Sequence, residues 1–423
     1  MIYTIGLTFI MIRFIKNQAI VILTLLGYTA LVIFYLKDNV RFIFDFPAMF
    51  LPLIYSDFIG ITALNTLLLQ RGLYFLSGII FILITILFFP RLSQSVLIKK
   101  LIVFSVVLFA AASFLFVQNY FSFYNHKQML RRQMTELNRK MGNKANITVR
   151  KCSINLKHSE NNISATANIV YNNPGDVGLN QFYFVLNPGL IVSAVKQQGD
   201  NVEFTQNAHI INIYPQITLA PFAEDSLIIK YSGAIDEAAC YLDIADDEID
   251  KRFNIWFYQI YKKYAFVTPD YLLLSPENMW YPTASLPSDI GHLITNNRSF
   301  VNFRLKVTTD SSLTVISQGE KVQREAGVTE FRPQNPLSGI SLTAGRYEQR
   351  RTKVDDIEYN LYVLPQHTYF DKYFKEIGDT ISAIIKEFRD DYNERLGLSY
   401  PFKRFSLIEV PIQFYAYSSF AVV

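Results

Sequence analysis

The chain holds five histidines, His126, His158, His209, His292 and His367, and none has a second histidine four residues further on. Zinc-dependent hydrolysis on a helix needs two histidines at i and i+4, facing one side, and a glutamate between them to activate the metal-bound water. That pattern is absent. Cys152 and Cys240 stand 88 residues apart and form no Cys-x-x-Cys motif, so two buried, unpaired thiols are expected. Carboxylates crowd one stretch: Asp236, Glu237, Asp243, Asp246, Asp247, Glu248 and Asp250 put seven acids in fifteen residues. Calcium uses such oxygens, but the spacing fits no EF-hand loop and glycine is missing where the turn needs it. A solvated loop is the expectation. The pairs Asp355/Asp356 and Asp390/Asp391 are sequence neighbours, which face apart on a strand or helix, and read as surface. There is no Walker-type glycine-rich loop and no Gly-x-Ser-x-Gly elbow. No residue is therefore assigned a catalytic, cofactor-binding or metal-ligating role.

The elements that surround these residues change character near residue 120. Residues 1–120 carry eight Lys/Arg and three Asp/Glu, and after Lys151 the balance becomes 24 Lys/Arg against 32 Asp/Glu. The first part suits lipid and the second suits water. Apolar runs at 19–36, 73–89 and 101–117 approach the roughly 20 residues that cross a bilayer as a helix. Residues 42–69 are apolar too, but contain Asp45, Pro47, Pro52 and Asp57; they read as a fourth span or as a broken or re-entrant helix. An intramembrane carboxylate is costly and usually functional, but headgroup positions for Asp45 and Asp57 explain them more simply. The first dozen residues are too short to cross alone. Three or four spans are therefore expected in 1–120.

Residues 121–145 form a basic stalk. Leu130, Met134, Leu137 and Met141 recur at helical steps, so the last span is expected to run on to about Met141 and to stop at Gly142. The stripe suits a partner helix or a membrane interface. Lipid headgroups account for the basic residues. The side of the membrane stays open: Arg131, Arg132, Arg139, Lys140 and Lys144 favour the cytoplasm, and the Arg91/Lys99/Lys100 loop, one span away, opposes them.

From 146 to 350 the period is two. Runs at 148–157, 163–171, 181–186, 209–214 and 226–231, then 300–308, 313–317, 328–331 and 340–344, predict an antiparallel β-rich saddle or sandwich. The aromatics between Phe253 and Phe266 are expected to bury against that sheet. Residues 358–423 read as strand, helix and strand. Phe374, Ile377, Ile381, Ile384, Phe388, Tyr392 and Leu396 give the helix one apolar face, expected to be buried. This opening of an α/β domain reads as a fragment. The fold class expected is thus a membrane protein: transmembrane helices, a β-rich domain, and the start of an α/β (α+β) peptidase-like domain.

The order of short motifs carries a resemblance. Asn187-Pro188-Gly189-Leu190, Ile229-Lys230-Tyr231-Ser232-Gly233, Ser317-Gln318-Gly319 and Thr343-Ala344-Gly345-Arg346-Tyr347 fall at the spacing of the N-terminal saddle domain of the gluzincin aminopeptidases, the membrane alanine aminopeptidase family. Residues 396–411 resemble the first helix end and following strand of that family's catalytic domain, and the match covers about 146–423. The family implies zinc on His-Glu-x-x-His, and a Gly-x-Met-Glu-Asn strand whose glutamate holds the substrate amine. Neither is present; after Val410-Pro411 the chain reads Ile412-Gln413-Phe414-Tyr415-Ala416. Zinc is thus expected only with a catalytic half beyond these residues. By architecture alone, the apolar part resembles the last spans of an ABC-type export permease.

The resemblance implies the N-terminal part of a membrane-anchored, aminopeptidase-like protein tied to such a permease, catalytically incomplete as it stands. The alternative is a non-catalytic binding module of a transporter; a plain membrane-tethered β-domain is a third reading. Implied partners are the lipid bilayer, an ATP-hydrolysing transporter subunit on another chain, and a peptide substrate. Nucleic acid is not expected, because no basic patch interleaved with aromatics appears. The implied location is a bacterial inner (cytoplasmic) membrane, crossed several times.

Overall fold

A computed structural model describes residues 1–36, 40–89, 95–142, 144–255, 258–287, 300–367 and 380–416. Its helices are α1 (Ile2–Ile15), α2 (Gln18–Leu31, continued by a π turn Val32–Leu36), α3 (Leu64–Leu87), α4 (Val96–Met141), α5 (Asp246–Asp250) and α6 (Thr380–Leu396). Its strands are β1 (Thr148–Ser159), β2 (Asn162–Asn172), β3 (Phe182–Val185), β4 (Leu190–Gln197), β5 (Asp200–Asn201), β6 (Glu203–Asn207), β7 (Ile210–Tyr214), β8 (Glu224–Gly233), β9 (Phe253–Ile255), β10 (Tyr258–Ile260), β11 (Phe266–Thr268), β12 (Tyr271–Leu274), β13 (Asn302–Thr308), β14 (Thr314–Ser317), β15 (Glu320–Glu325), β16 (Val328–Arg332), β17 (Leu342–Gly345), β18 (Glu348–Val354), β19 (Ile357–Val363) and β20 (Arg404–Ile408). They form two units: Met1–Tyr55, Ile61–Met129 and Lys251–Tyr261 make one, and Ser56–Gly60, Leu130–Asp250 and Lys262–Val423 the other.

In the helical unit, Gln18–Leu36, Leu64–Leu87 and Val96–Met141 are long and apolar enough to cross a membrane. Helix α1, at 14 residues, is shorter. Asn17 caps α2, its side-chain oxygen accepting from the Ala19 N–H at 3.0 Å. Helices α1 and α3 meet at two glycines; a Cβ on Gly6 would sit 2.5 Å from the Gly78 carbonyl oxygen, so only small residues allow this approach.

Residues 42–69, expected as a fourth span or as a broken or re-entrant helix, do not form one continuous helix. Residues 40–63 form turns, and helix begins only at Leu64, upstream of the expected start at 73. Pro47 and Pro52 lack the N–H a helix would need. The exposed carbonyls are instead met by side chains: Tyr74 Oη donates to Ile43 O at 2.6 Å, Arg71 Nη1 to Phe46 O at 3.2 Å, and Gln70 and Tyr120 to Phe42 O and Arg41 O. Irregular backbone among apolar helices persists where protein groups satisfy it in this way. Asp45 is fully buried, and its carboxylate accepts from the Met49 and Phe50 N–H groups at 3.0 and 2.9 Å. It caps its own turn.

The β9–β10 hairpin belongs to this unit as well. Arg252 lies 3.9 Å above the Phe42 ring. The aromatic stretch after Arg252 therefore does not pack on the sheet as a whole; Tyr264 and Phe266 are the two that are buried in the β-rich unit, and Trp256 and Phe257 lie outside the described residues.

The β-rich unit is built on an eight-stranded sheet of order β15-β16-β13-β1-β2-β8-β4-β5. It is mixed rather than antiparallel, because β13 returns alongside β1 in the same direction. Alternation buries Ile154, Leu156, Ile163, Ala167, Ile229 and Leu305 on one face, against Phe182, Phe184, Ile211 and Ile213 of the small sheet β3-β7-β6. The opposite face of the small sheet presents Tyr183, Val185 and Ile210, which cover Leu130, Met134 and Met141 at the end of α4. The helical stripe therefore serves this unit's own core, in place of a partner helix or membrane interface.

Arg131 departs from the headgroup expectation. Its guanidinium is buried and donates to Asp246 Oδ1 at 2.8 Å, Cys240 O at 2.9 Å, Tyr241 O at 3.0 Å and Ile244 O at 2.6 Å. The acidic insert is correspondingly not a free solvated loop. Asp246 pairs with Arg131, Glu237 with Lys263, and Asp236 Oδ1 accepts from the Ala238 N–H at 2.9 Å.

The last sheet, β18-β19-β20, has an antiparallel and a parallel pair, the latter joined through the stretch containing α6. The α6 face expected to be buried is open: Ile384, Phe388, Tyr392 and Leu396 are 38%, 62%, 62% and 67% exposed. Phe388, Tyr392 and Leu396 line an open cavity of about 990 Å³ together with Tyr359, Leu361 and Phe405 of the sheet. Phe374, Ile377 and the side chain of Ile381 lie outside the described residues.

Breaking a buried ion pair leaves an unmatched charge or unsatisfied carbonyls, typically at about 3–5 kcal/mol. Arg131→Ala is expected to destabilise the β-rich unit by about that amount in denaturant titrations followed through buried Trp280. Arg132→Ala, at an exposed neighbour, should change stability by less than about 0.5 kcal/mol.

Candidate functional site

The four resemblance motifs come together in pairs, and they act as scaffold. Leu190 of the first pairs with Gly233 of the second across β4 and β8. Gly233 has φ +148°, and a Cβ there would lie 2.1 Å from Gly189 O, so no other residue fits. Asn187 is fully buried. Its Oδ1 accepts from Gly189 and Asp236 N–H at 3.0 and 2.9 Å, and its Nδ2 donates to Asp236 O and Asn278 O at 3.1 and 2.9 Å. Ser317 of the third motif pairs with Leu342, beside the fourth, and Gln318 Oε1 accepts from Ser341 N–H at 2.9 Å.

The Asn187 N–H donates to Met279 O at 2.8 Å, and Met279 lines a cavity of about 130 Å³ whose walls also include Tyr241, Tyr281, Phe303, Asp243 and Glu277. Small-molecule pockets usually span about 300–1,000 Å³. The cavity therefore suits one side chain or one chain end, and its carboxylates favour a cation. Cys152 also lines it. Both thiols are free and buried, and burial pushes each up to about 12, which makes them inert as nucleophiles.

The described histidines do not gather. His158 Nδ1 meets Thr309 Oγ1 at 2.9 Å, and burial lowers its pKa. His209 is fully buried with Nε2 2.6 Å from Asn138 Oδ1, and burial lowers it to about 4. Both are neutral core groups. His126 is exposed on α4, and His292 lies outside the described residues. Among the described residues no three His, Cys, Asp or Glu side chains converge to hold a metal, so the donor set here does not fit zinc.

His367 is different. Its Nδ1 lies 2.7 Å from Glu409 Oε1 and its Nε2 3.2 Å from Asp57 Oδ2. The Leu364 N–H orients Glu409 through Oε2 at 2.8 Å, and Tyr347 Oη donates to Glu409 O at 2.8 Å. Next to Asp57, Phe58 packs edge-on to Tyr271 at 4.9 Å and beside Tyr347 at 6.1 Å. The segment Ser56–Gly60 is thus held by an aromatic wedge and a carboxylate–imidazole–carboxylate chain. Burial acts to lower the His367 pKa, but the two carboxylates outweigh it, and it stands above the ordinary 6.5. No sequence signal joins these three residues, which lie 310 and 42 positions apart. Asp57 is therefore an ion-pair partner of His367.

No family model and no curated protein matches the chain. Among solved structures it is similar to M1 zinc metallopeptidases. With the enzyme from Deinococcus radiodurans the TM-score is 0.42 at 16% identity, over 64% of this chain and 57% of that one. A point mutant of that enzyme gives 0.43 at 15%, over 62% and 56%. A two-domain mutant form bound to L-tryptophan gives 0.43 at 15%, over 63% and 57%. The chain thus spans a little over half the length of these structures. At such identity and TM-score the likeness names neighbours and carries no chemistry.

A histidine with a raised pKa stabilises its contacts fully below its unfolded value, near 6.5, and that contribution is lost as pH rises through the higher folded value. Chymotryptic nicking at Phe58 is expected to accelerate above that point in the parent chain. In His367→Gln it should be fast at every pH. The ratio of the two rates at each pH cancels the protease's own profile; a flat ratio contradicts the assignment.

Proposed function

We propose that this chain is a membrane-anchored, aminopeptidase-like protein whose β-rich unit receives a peptide end. The observation that carries it is helix α4. Its apolar window is wholly unburied, as a lipid-facing span would be, and its last turns enter the core of the β-rich unit through Leu130, Met134 and Met141. One helix thus satisfies the demands of both solvents. Two further helices of spanning length support several crossings. In this reading the membrane is the bacterial inner membrane, the apolar helices are permease-like, and an ATP-hydrolysing subunit on another chain is the working partner. The anionic cavity beside the Asn187 network fits the ammonium end of a peptide.

A second reading, a binding module that does not cleave, is favoured by the commitment of His158, His209 and His367 to hydrogen bonds within the fold. Both readings share the anchor and the peptide, and differ in hydrolysis.

Bacterial membranes holding the full chain should retain it through an alkaline carbonate wash and release it in detergent. Release by carbonate contradicts the anchor. In detergent, the chain should bind a peptide with a free N-terminus at least tenfold more tightly than its N-acetylated form, and Glu277→Gln should remove the difference. Chelator-sensitive release of an amino-acid arylamide would discard the second reading. Co-purified ATPase activity tests the transporter partner.

A further inference from the structure

The outward face of the eight-stranded sheet carries a charge pattern that the chain's near-neutral total conceals. Strand register places Lys306, Asn155, Thr166 and Lys230 in one row across β13, β1, β2 and β8. The adjacent row holds Thr308, Lys157, Ser164 and Ser232. All three lysines are exposed. Together these residues line an open polar depression of about 470 Å³ with no carboxylate in its walls. Arg304 and Lys196 extend the charge along the next row. The nearby acid, Glu330, is buried and already taken by Arg304 and Arg332 at 2.6 and 2.7 Å.

With strands about 4.8 Å apart, Lys306 and Lys230 stand about 14 Å apart, and Lys157 is offset by about 7 Å along its strand. Charges so dispersed do not converge on one small anion; they follow an extended one. Lysine ammonium groups are compact point charges suited to phosphate, whereas carboxylate recognition favours the arginine fork. The hydroxyls of Ser164, Thr166, Ser232 and Thr308 supply donors between them. Tyr231, the one aromatic residue in its lining, is buried in the core beneath the sheet, so no ring is exposed there to stack bases.

We propose that this face binds a linear, base-free phosphate polymer lying across the strands. The proposal is independent of any peptidase reading. Full-length chain in nonionic detergent, titrated against end-labelled inorganic polyphosphate, is expected to bind with log affinity falling linearly with log salt. The combined variant Lys157→Ser, Lys230→Ser and Lys306→Ser should weaken binding at least tenfold and make the salt slope shallower by about 2, because each phosphate contact contributes about 0.7–0.9. Arg395→Ser, at an exposed site on α6, should bind as the parent does. The triple variant replaces surface residues only; an unchanged melting transition confirms that it folds. Equal binding by the triple variant overturns the proposal. So does stronger competition from poly-glutamate, single-stranded DNA or anionic vesicles than from unlabelled polyphosphate at equal charge.

Discussion

The β-rich unit depends on one buried cation. Arg131 enters from the end of an otherwise apolar-faced helix and meets four backbone carbonyls and the Asp246 carboxylate. A charge taken out of water at this depth is tolerable only when nearly every donor is matched. The guanidinium, with five donors in a fixed fork, is the one side chain that can meet so many acceptors at once. This requirement shapes the surroundings. The loop 238–246 turns its carbonyls inward around Arg131, and Asp236 and Glu237 fix its entry through Ala238, Lys263 and Tyr264. What reads in sequence as an excess of acid is the outer half of a charge-matched knot.

The same knot explains why the resemblance motifs are structural. Asn187 holds Asp236 from the far side through both its backbone N–H and its carbonyl. Gly189 and Gly233 let two backbones approach to a distance no Cβ permits. Such positions restrict residue type through sterics and hydrogen bonding, and so would recur in any chain that adopts this sheet, whatever chemistry it performs. They identify an architecture, and the carboxylate-lined cavity beside them is where specificity would have to reside.

Much of the fold was legible in residues 151–172, where alternation past the bulge at Arg150 leaves only one burial pattern. Short edge strands were not. Glu203–Asn207 and Glu348–Val354 carry little apolar signal, and gain strand geometry from their neighbours. The stalk stripe was legible as a helix face, but its target was not, because helical periodicity states that a face is buried without saying against what. Arg131 sits three residues before Met134, at the edge of that stripe, a position that separates it from the exposed Arg132 beside it. The His367 chain was illegible for a simpler reason: its three members are brought together by tertiary packing alone. The α6 face misled in the opposite sense. Its periodicity announces burial, but among the described residues it faces an open cavity.

Net charge proved a poor guide to partners for a geometric reason. A strand alternates its side chains between two environments, so a sheet sorts residues by position parity. In β1, Ile154 and Leu156 go inward while Asn155 and Lys157 go outward, and register repeats that choice on β2, β8 and β13. Acids of this unit gather in the Arg131 knot and around α6, and Glu330, which faces Lys306 in the register, is held by Arg304 and Arg332. A sum over the sequence after Lys151 is negative, but no surface experiences that sum. Over distances longer than about 8–10 Å, salt screens one face from another, so an incoming ion responds to the local set. The outward face of the large sheet is therefore a cationic surface on an acidic unit, and questions about its partners are settled face by face.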